Sequence, residues 1–170
     1  MVRTVRTFSV TKDGLVACDF LHSGLDHMTG AQLLFEGDDP GHFDSAGSLA
    51  HIGVELLLKA WLLEVAGEFE GIHNLEALYD LLMKKCGAAV LDNEQQQALK
   101  MLDQFEQLRY PNPKQPTEIG DEDLPRIEAL VGHICSAMPQ SIPDALEKIA
   151  PGRKGGRVLM RKKIDDGKRS

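Results

Sequence analysis

"SLAHIGVELLLKAWLLEVAG", residues 48–67, decides the fold. It is the most apolar stretch of the chain, yet it keeps Ser48, His51, Glu55 and Lys59 on one stripe. At 3.6 residues per turn those four positions share about 80° of the helix circumference. Ile52, Leu56 and Leu63 flank the stripe on one side, Val54, Leu57, Trp61 and Val65 on the other, with Leu49 and Ala60 opposite. A helix apolar on most of its surface needs neighbours on most sides, so this one is the centre of an all-α domain. Its polar stripe then faces either water or something polar that the protein holds.

The flanking sequence supplies those neighbours. Leu21, Leu25, Met28 and Ala31 recur at helical spacing and predict a helix from about Asp13 to Phe35. "EGDDPGHFD" is a loop, after which Ser45 or Ser48 is expected to cap the central helix and Gly67 to end it. Asn74 and Gly87 bracket a short third helix whose last turn carries Lys84 and Lys85. Asp92 and Gln95 form a capping box for a fourth over 93–110, with Ala98, Met101, Leu102, Phe105 and Leu108 as its apolar stripe. Pro111, Pro113 and Pro116 stop it. Asp121 or Asp123 starts a fifth, with Pro125 in its tolerant first turn, and "SIPDALEKIA" predicts a short last helix. The expected layout is an N-terminal arm over 1–10, extended or forming a short strand, an up-and-down four- or five-helix bundle over 11–150, and a basic, disordered tail over 151–170.

Composition narrows the function classes. The 170 residues fit one domain, and three cysteines without a Cys-x-x-Cys pair suit a reduced, cytoplasmic setting. The amino terminus lacks the apolar run of a signal peptide, and no uncharged run approaches membrane-span length, so no membrane partner is expected. Charge is split along the chain. The last 19 residues hold eight Lys or Arg against two Asp, leaving 11 basic and 24 acidic groups in the body. An acidic body repels nucleic acid on average and needs a local basic site to bind it. The tail suits RNA, DNA, the acidic body of another copy, or simple solvation.

Few residues invite chemistry. Glu55 followed by Lys59 reads as an i, i+4 pair worth only ~0.2–0.5 kcal/mol when exposed. His51 has no serine or cysteine nucleophile identifiable beside it. On the wheel of the fourth helix, Arg109 falls with Leu102 and Phe105 on the inward face. It therefore either snorkels to water at the last turn or pairs with Glu55. Asp19, His22 and Asp26 share a face, but bundle metal sites draw ligands from several helices and commonly use Glu-x-x-His, which is absent here. A solvated face is the expectation, with no metal or cofactor.

The Glu-x-x-x-Lys-Ala segment at 55–60, a glycine loop, His-Asn-Leu at 73–75 and Arg-Tyr-Pro at 109–111 occur in an order that resembles the HEPN domains. The similarity is good over 45–111 and elsewhere rests on helical character. It implies an up-and-down bundle, often a homodimer. Some relatives cleave RNA without metal as toxins or defence proteins; others bind nucleotides, RNA or a nucleotidyltransferase partner. Nuclease members carry an Arg, four to six residues and a His. Arg109 fits the first place, but Lys114, Gln115 and Pro116 occupy the second, so the histidine is missing. Arg109 and Lys114 can still clamp a phosphate, with Tyr110 as a stacking face. The expected site is Arg109, Tyr110 and Lys114 with His51, Glu55, Lys59 and His73, in a non-catalytic module binding a nucleotide, RNA or partner, in a toxin–antitoxin or defence setting. Two alternatives stand beside it: a metal-independent ribonuclease using Arg109 with a displaced base such as His73 or His133, and a pure protein-interaction subunit.

Overall fold

The computed structural model describes residues 5–88, 90–109, 118–149 and 151, and for 107–109 the backbone alone. In chain order the described residues form β1 (Thr7–Ser9), α1 (Val10–Asp13), α2 (Ala17–Phe35), α3 (Phe43–Ala66), β2 (Glu68–Glu70), α4 (Leu75–Cys86), α5 (Asn93–Asp103), α6 (Leu124–Ala137) and α7 (Ser141–Ile149). Three 3-10 turns, Pro40–His42, Gln104–Arg109 and Asp121–Asp123, join them. The architecture is the all-α bundle that the apolar periodicity predicts.

α3 is the axis. It packs against α2, α4, α5, α6, α7 and β2, and Val54, Leu57, Leu58, Leu62 and Leu63 are all sealed from solvent. Its closest partner is α2, which runs antiparallel to it. Phe35 meets Phe43 at one end, and a Cβ on Gly24 would stand 3.0 Å from the Gly53 carbonyl oxygen further along. Glycine at both places lets the two backbones approach where any side chain would hold them apart.

Local signals account for most boundaries. Asn74 accepts from Ala77 N to cap α4, Asp92 and Gln95 complete their reciprocal capping box on α5, and Pro125 lies in the first turn of α6. Gly67 ends α3 in the left-handed region at φ 71°, which costs a side-chain-bearing residue about 1–2 kcal/mol. That reversal lets residues 68–70 turn back as β2 and pair antiparallel with β1, Phe8 opposite Phe69.

Three expectations are corrected. The first long helix begins at Ala17 rather than about Asp13, because residues 10–13 form a separate turn that Gly14 closes at φ 66°. Neither Ser45 nor Ser48 caps the central helix. It begins at Phe43, continuing a 3-10 turn that Asp39 caps through Gly41 N, and Ser48 Oγ donates back to the Asp44 carbonyl. Of the two readings of the N-terminal segment, arm or short strand, the strand is the one found where it is described: residues 7–9 pair with β2, and Val10 N donates to the Gly67 carbonyl. Finally, α5 stops at Asp103 and gives way to 3-10 geometry. A 3-10 turn advances about 120° per residue instead of 100°, so the wheel that grouped Arg109 with Leu102 and Phe105 does not carry past Asp103. The basic tail, 152–170, lies outside the described residues.

Candidate functional site

Three of the four residues of the α3 polar stripe are buried. His51 is 3%, Glu55 7% and Lys59 5% exposed, so the reading of Glu55 and Lys59 as a solvated surface pair is overturned. The cover comes from the chain beyond Gly67. β2 places Phe69 with its ring centroid 5.3 Å from Lys59 Nζ, and the segment after β2 brings His73 over Glu55. Phe69 is itself fixed by stacking on Phe8 and by the edge of Phe20. The small sheet is therefore a lid over the charged edge of the central helix.

Glu55 is the hub. Its Oε1 accepts from Lys59 Nζ at 2.5 Å and from His73 Nδ1 at 3.0 Å, and its Oε2 faces His51 Nε2 at 3.6 Å, beyond hydrogen-bond distance. Burial alone pushes the Glu55 carboxyl up; the His51 ring, the Lys59 ammonium and the charge of His73 outweigh it and hold the group at about 2. Near neutrality Glu55 is thus a fixed anion.

Both histidines are oriented by acceptors. His51 Nδ1 lies 2.9 Å from the Leu102 carbonyl oxygen, which only accepts, so Nδ1 carries a proton and ties α3 to the end of α5. His73 Nδ1 likewise donates to the ionised Glu55, leaving Nε2 with no hydrogen-bond partner among the described residues. The His73 side chain is 44% exposed, so the cluster reaches solvent there. One residue further on, Asn74 Nδ2 donates to Asp103 Oδ2, while Leu75 N donates to Asp103 Oδ1 at 2.7 Å.

The structure thus brings together four of the seven expected site residues, His51, Glu55, Lys59 and His73, and fastens them to the last turn of α5. Whether Arg109 pairs with Glu55 or reaches water falls on a side chain outside the described residues; among the described residues the carboxylate is engaged by Lys59, His73 and His51. Arg109 ends the 3-10 turn that packs on α3, its side chain lies outside the described residues, and so do Tyr110 and Lys114. Residue pattern alone missed Phe69, the Leu102 carbonyl and Asp103. Asp103 was readable only as another polar position on an amphipathic helix, and nothing in its neighbours pointed to α4. The Asp19, His22, Asp26 face holds a His22–Asp26 contact of 3.5 Å, and no group of three or more potential metal ligands occurs among the described residues.

An apolar central helix, a lidded ionic hub and an arginine placed just beyond the α5 tie define a helical-bundle class. The HEPN domain family model matches residues 18–136, and the chain belongs to that family. No curated protein and no solved structure matches the chain. Among the described residues no helix is long and apolar enough to cross a membrane.

Proposed function

We propose that this HEPN domain is a non-catalytic module of the cytoplasm, working as a homodimer, that binds a nucleotide or RNA segment through Arg109, Tyr110 and Lys114. The observation that carries the reading is the state of Glu55. A carboxylate held at about 2 by three cationic or ring-nitrogen neighbours is a poor proton acceptor at neutral pH. Its chemistry is spent inside the cluster, which makes the cluster a support. What it supports is the end of α5, gripped through Leu102 and Asp103 just before the 3-10 turn that delivers Arg109. A guanidinium and an ammonium on a short segment suit a phosphate, and Tyr110 offers a base a stacking face. The absence of a histidine at 114–116 agrees with binding without cleavage. A toxin–antitoxin or defence setting, with a nucleotidyltransferase-like partner, follows from the family resemblance.

The test is fluorescence anisotropy of labelled single-stranded RNA and of a fluorescent adenine nucleotide at low salt, beside incubation with an RNA pool in EDTA. The expected result is saturable binding, weakened at least tenfold by Arg109→Ala, with the RNA left intact. RNA cleavage that Arg109→Ala abolishes overturns the proposal. Absence of binding to both probes also overturns it and leaves an interaction subunit.

One observation favours the ribonuclease alternative. His73 is a half-exposed imidazole whose Nδ1 is held by a buried carboxylate while Nε2 has no hydrogen-bond partner among the described residues, the arrangement by which a carboxylate orients a general base. Cleavage lost in His73→Gln and retained in His133→Gln would select that reading.

A further inference from the structure

Away from the Glu55 cluster, α4 and α5 enclose a surface groove of about 220 Å³. Its floor is apolar, built from Tyr79, Met83, Leu91 and Leu99, and Glu76 and Asp80 line its α4 wall. At one end Val90 is 74% exposed, an aliphatic side chain with little cover from the described residues. Both carboxylates are on the solvent side of α4, and Lys100 stands on the α5 wall. The shape asks for a short apolar segment flanked mainly by positive charge.

The chain carries one. Residues 157–163 read Arg-Val-Leu-Met-Arg-Lys-Lys: three consecutive apolar side chains between an arginine and a run of three cations. A merely solubilising tail has no need of Val158, Leu159 and Met160 together, since contiguous apolar residues in water are unfavourable unless something covers them. α7 ends at Ile149, and the ten residues from there to Leu159 span at most about 33 Å when extended, a length of the order of twice the roughly 15 Å radius of gyration of a body of this size. The body is also strongly acidic, 24 Asp and Glu against 11 Lys and Arg, which draws the tail toward it at long range.

We propose that the C-terminal segment 157–163 docks in cis in the α4–α5 groove, with Val158, Leu159 and Met160 on the apolar floor and the flanking cations against Glu76 and Asp80. Exposed ion pairs contribute little individually and Lys100 opposes them, so the triplet confers the specificity and the charges the encounter. The docking does not depend on what residues 109–114 bind.

Carbodiimide cross-linking of the full chain, read by peptide mass spectrometry, tests it. Lys162 or Lys163 is expected to be amide-linked to Glu76 or Asp80 in the monomer band. Replacing the triplet, Val158→Ser with Leu159→Ser and Met160→Ser, is expected to cut those links at least fivefold; the substitutions fall outside the bundle. Links spread over Glu94, Glu118 and Asp121 as heavily as over Glu76 and Asp80 overturn the proposal, as do links unchanged by the triple replacement or found only in covalent dimers. A tail that links to no body residue, and is protected from trypsin only when RNA is added, overturns it in favour of nucleic acid.

Discussion

Lys59 Nζ lies 2.5 Å from Glu55 Oε1, one helical turn further along the same buried edge of α3. On a surface this contact would contribute tenths of a kcal/mol; with both side chains under 10% exposed, each is the other's principal solvent. Substitution should therefore be asymmetric. Glu55→Gln keeps the shape and strands an ammonium beside Phe69, and is expected to cost roughly 3–5 kcal/mol in urea unfolding. Glu55→Gln with Lys59→Met should lose less than the sum of the single changes, with a coupling of about 1–3 kcal/mol. Additive losses would show that the two side chains do not act as a pair.

Glu55 also predicts acid sensitivity with a defined sign. Its folded value, about 2, lies below the ordinary 4.5, so the folded state binds this proton more weakly than the unfolded chain. The resulting stability is fully present above pH 4.5 and is lost as pH falls from 4.5 toward 2. A shift of that size corresponds to about 3 kcal/mol. Unfolding free energies across that window should fall for the parent chain and be flatter for Glu55→Gln by this amount. Parallel profiles would mean that other carboxylates govern the acid limb.

How much was legible beforehand follows from which forces act locally. Asn74, Gly67, Gly87 and the Asp92–Gln95 pair marked helix ends correctly because caps work within one turn, where the sequence holds both partners. The α3 stripe was legible as a pattern and misjudged as an environment. Whether His51, Glu55 and Lys59 meet water depends on Phe69 and His73 folding back after Gly67, and nothing in the 48–67 wheel encodes that reversal. The same limit hid Asp103, whose partners stand 28 and 29 positions earlier. Helix four was read as continuous to Tyr110 because apolar residues recur at helical spacing through Leu108, and that spacing carries no mark of the switch to 3-10 geometry at Gln104.

Asp103 joins two helices through one carboxylate, accepting from Asn74 Nδ2 and Leu75 N, while Asn74 Oδ1 accepts from Ala77 N at 2.8 Å. Asn74→Ala removes the cap and the tie together and is expected to cost about 2 kcal/mol, the upper end for a cap alone. Asn74→Asp preserves the cap but sets two carboxylates against each other, so it should destabilise more at pH 7 than at pH 4. Equal losses at both pH values would count against the Asp103 contact.

Gly47 connects packing to the proposed binding segment. A Cβ there would sit 2.5 Å from Cε1 and Cζ of Phe105, closer than real side chains approach. Phe105 is buried at the start of the 3-10 turn that ends at Arg109, so its ring pins that turn to α3. Gly47→Ala must displace the ring, because α3 is held on its other sides by α2 and α4 and cannot retreat. Overpacking of this kind costs about 1–3 kcal/mol, and the displacement falls on the turn that positions Arg109. Gly47→Ala is therefore expected to lower both unfolding stability and RNA or nucleotide affinity. Gly53→Ala, which meets Met28 and the Gly24 carbonyl at the α2 face, should lower stability by a similar amount and leave affinity unchanged. Calorimetry and anisotropy on the two variants separate the effects; equal affinity losses would mean that binding follows global stability and that the Phe105 turn has no special part in it.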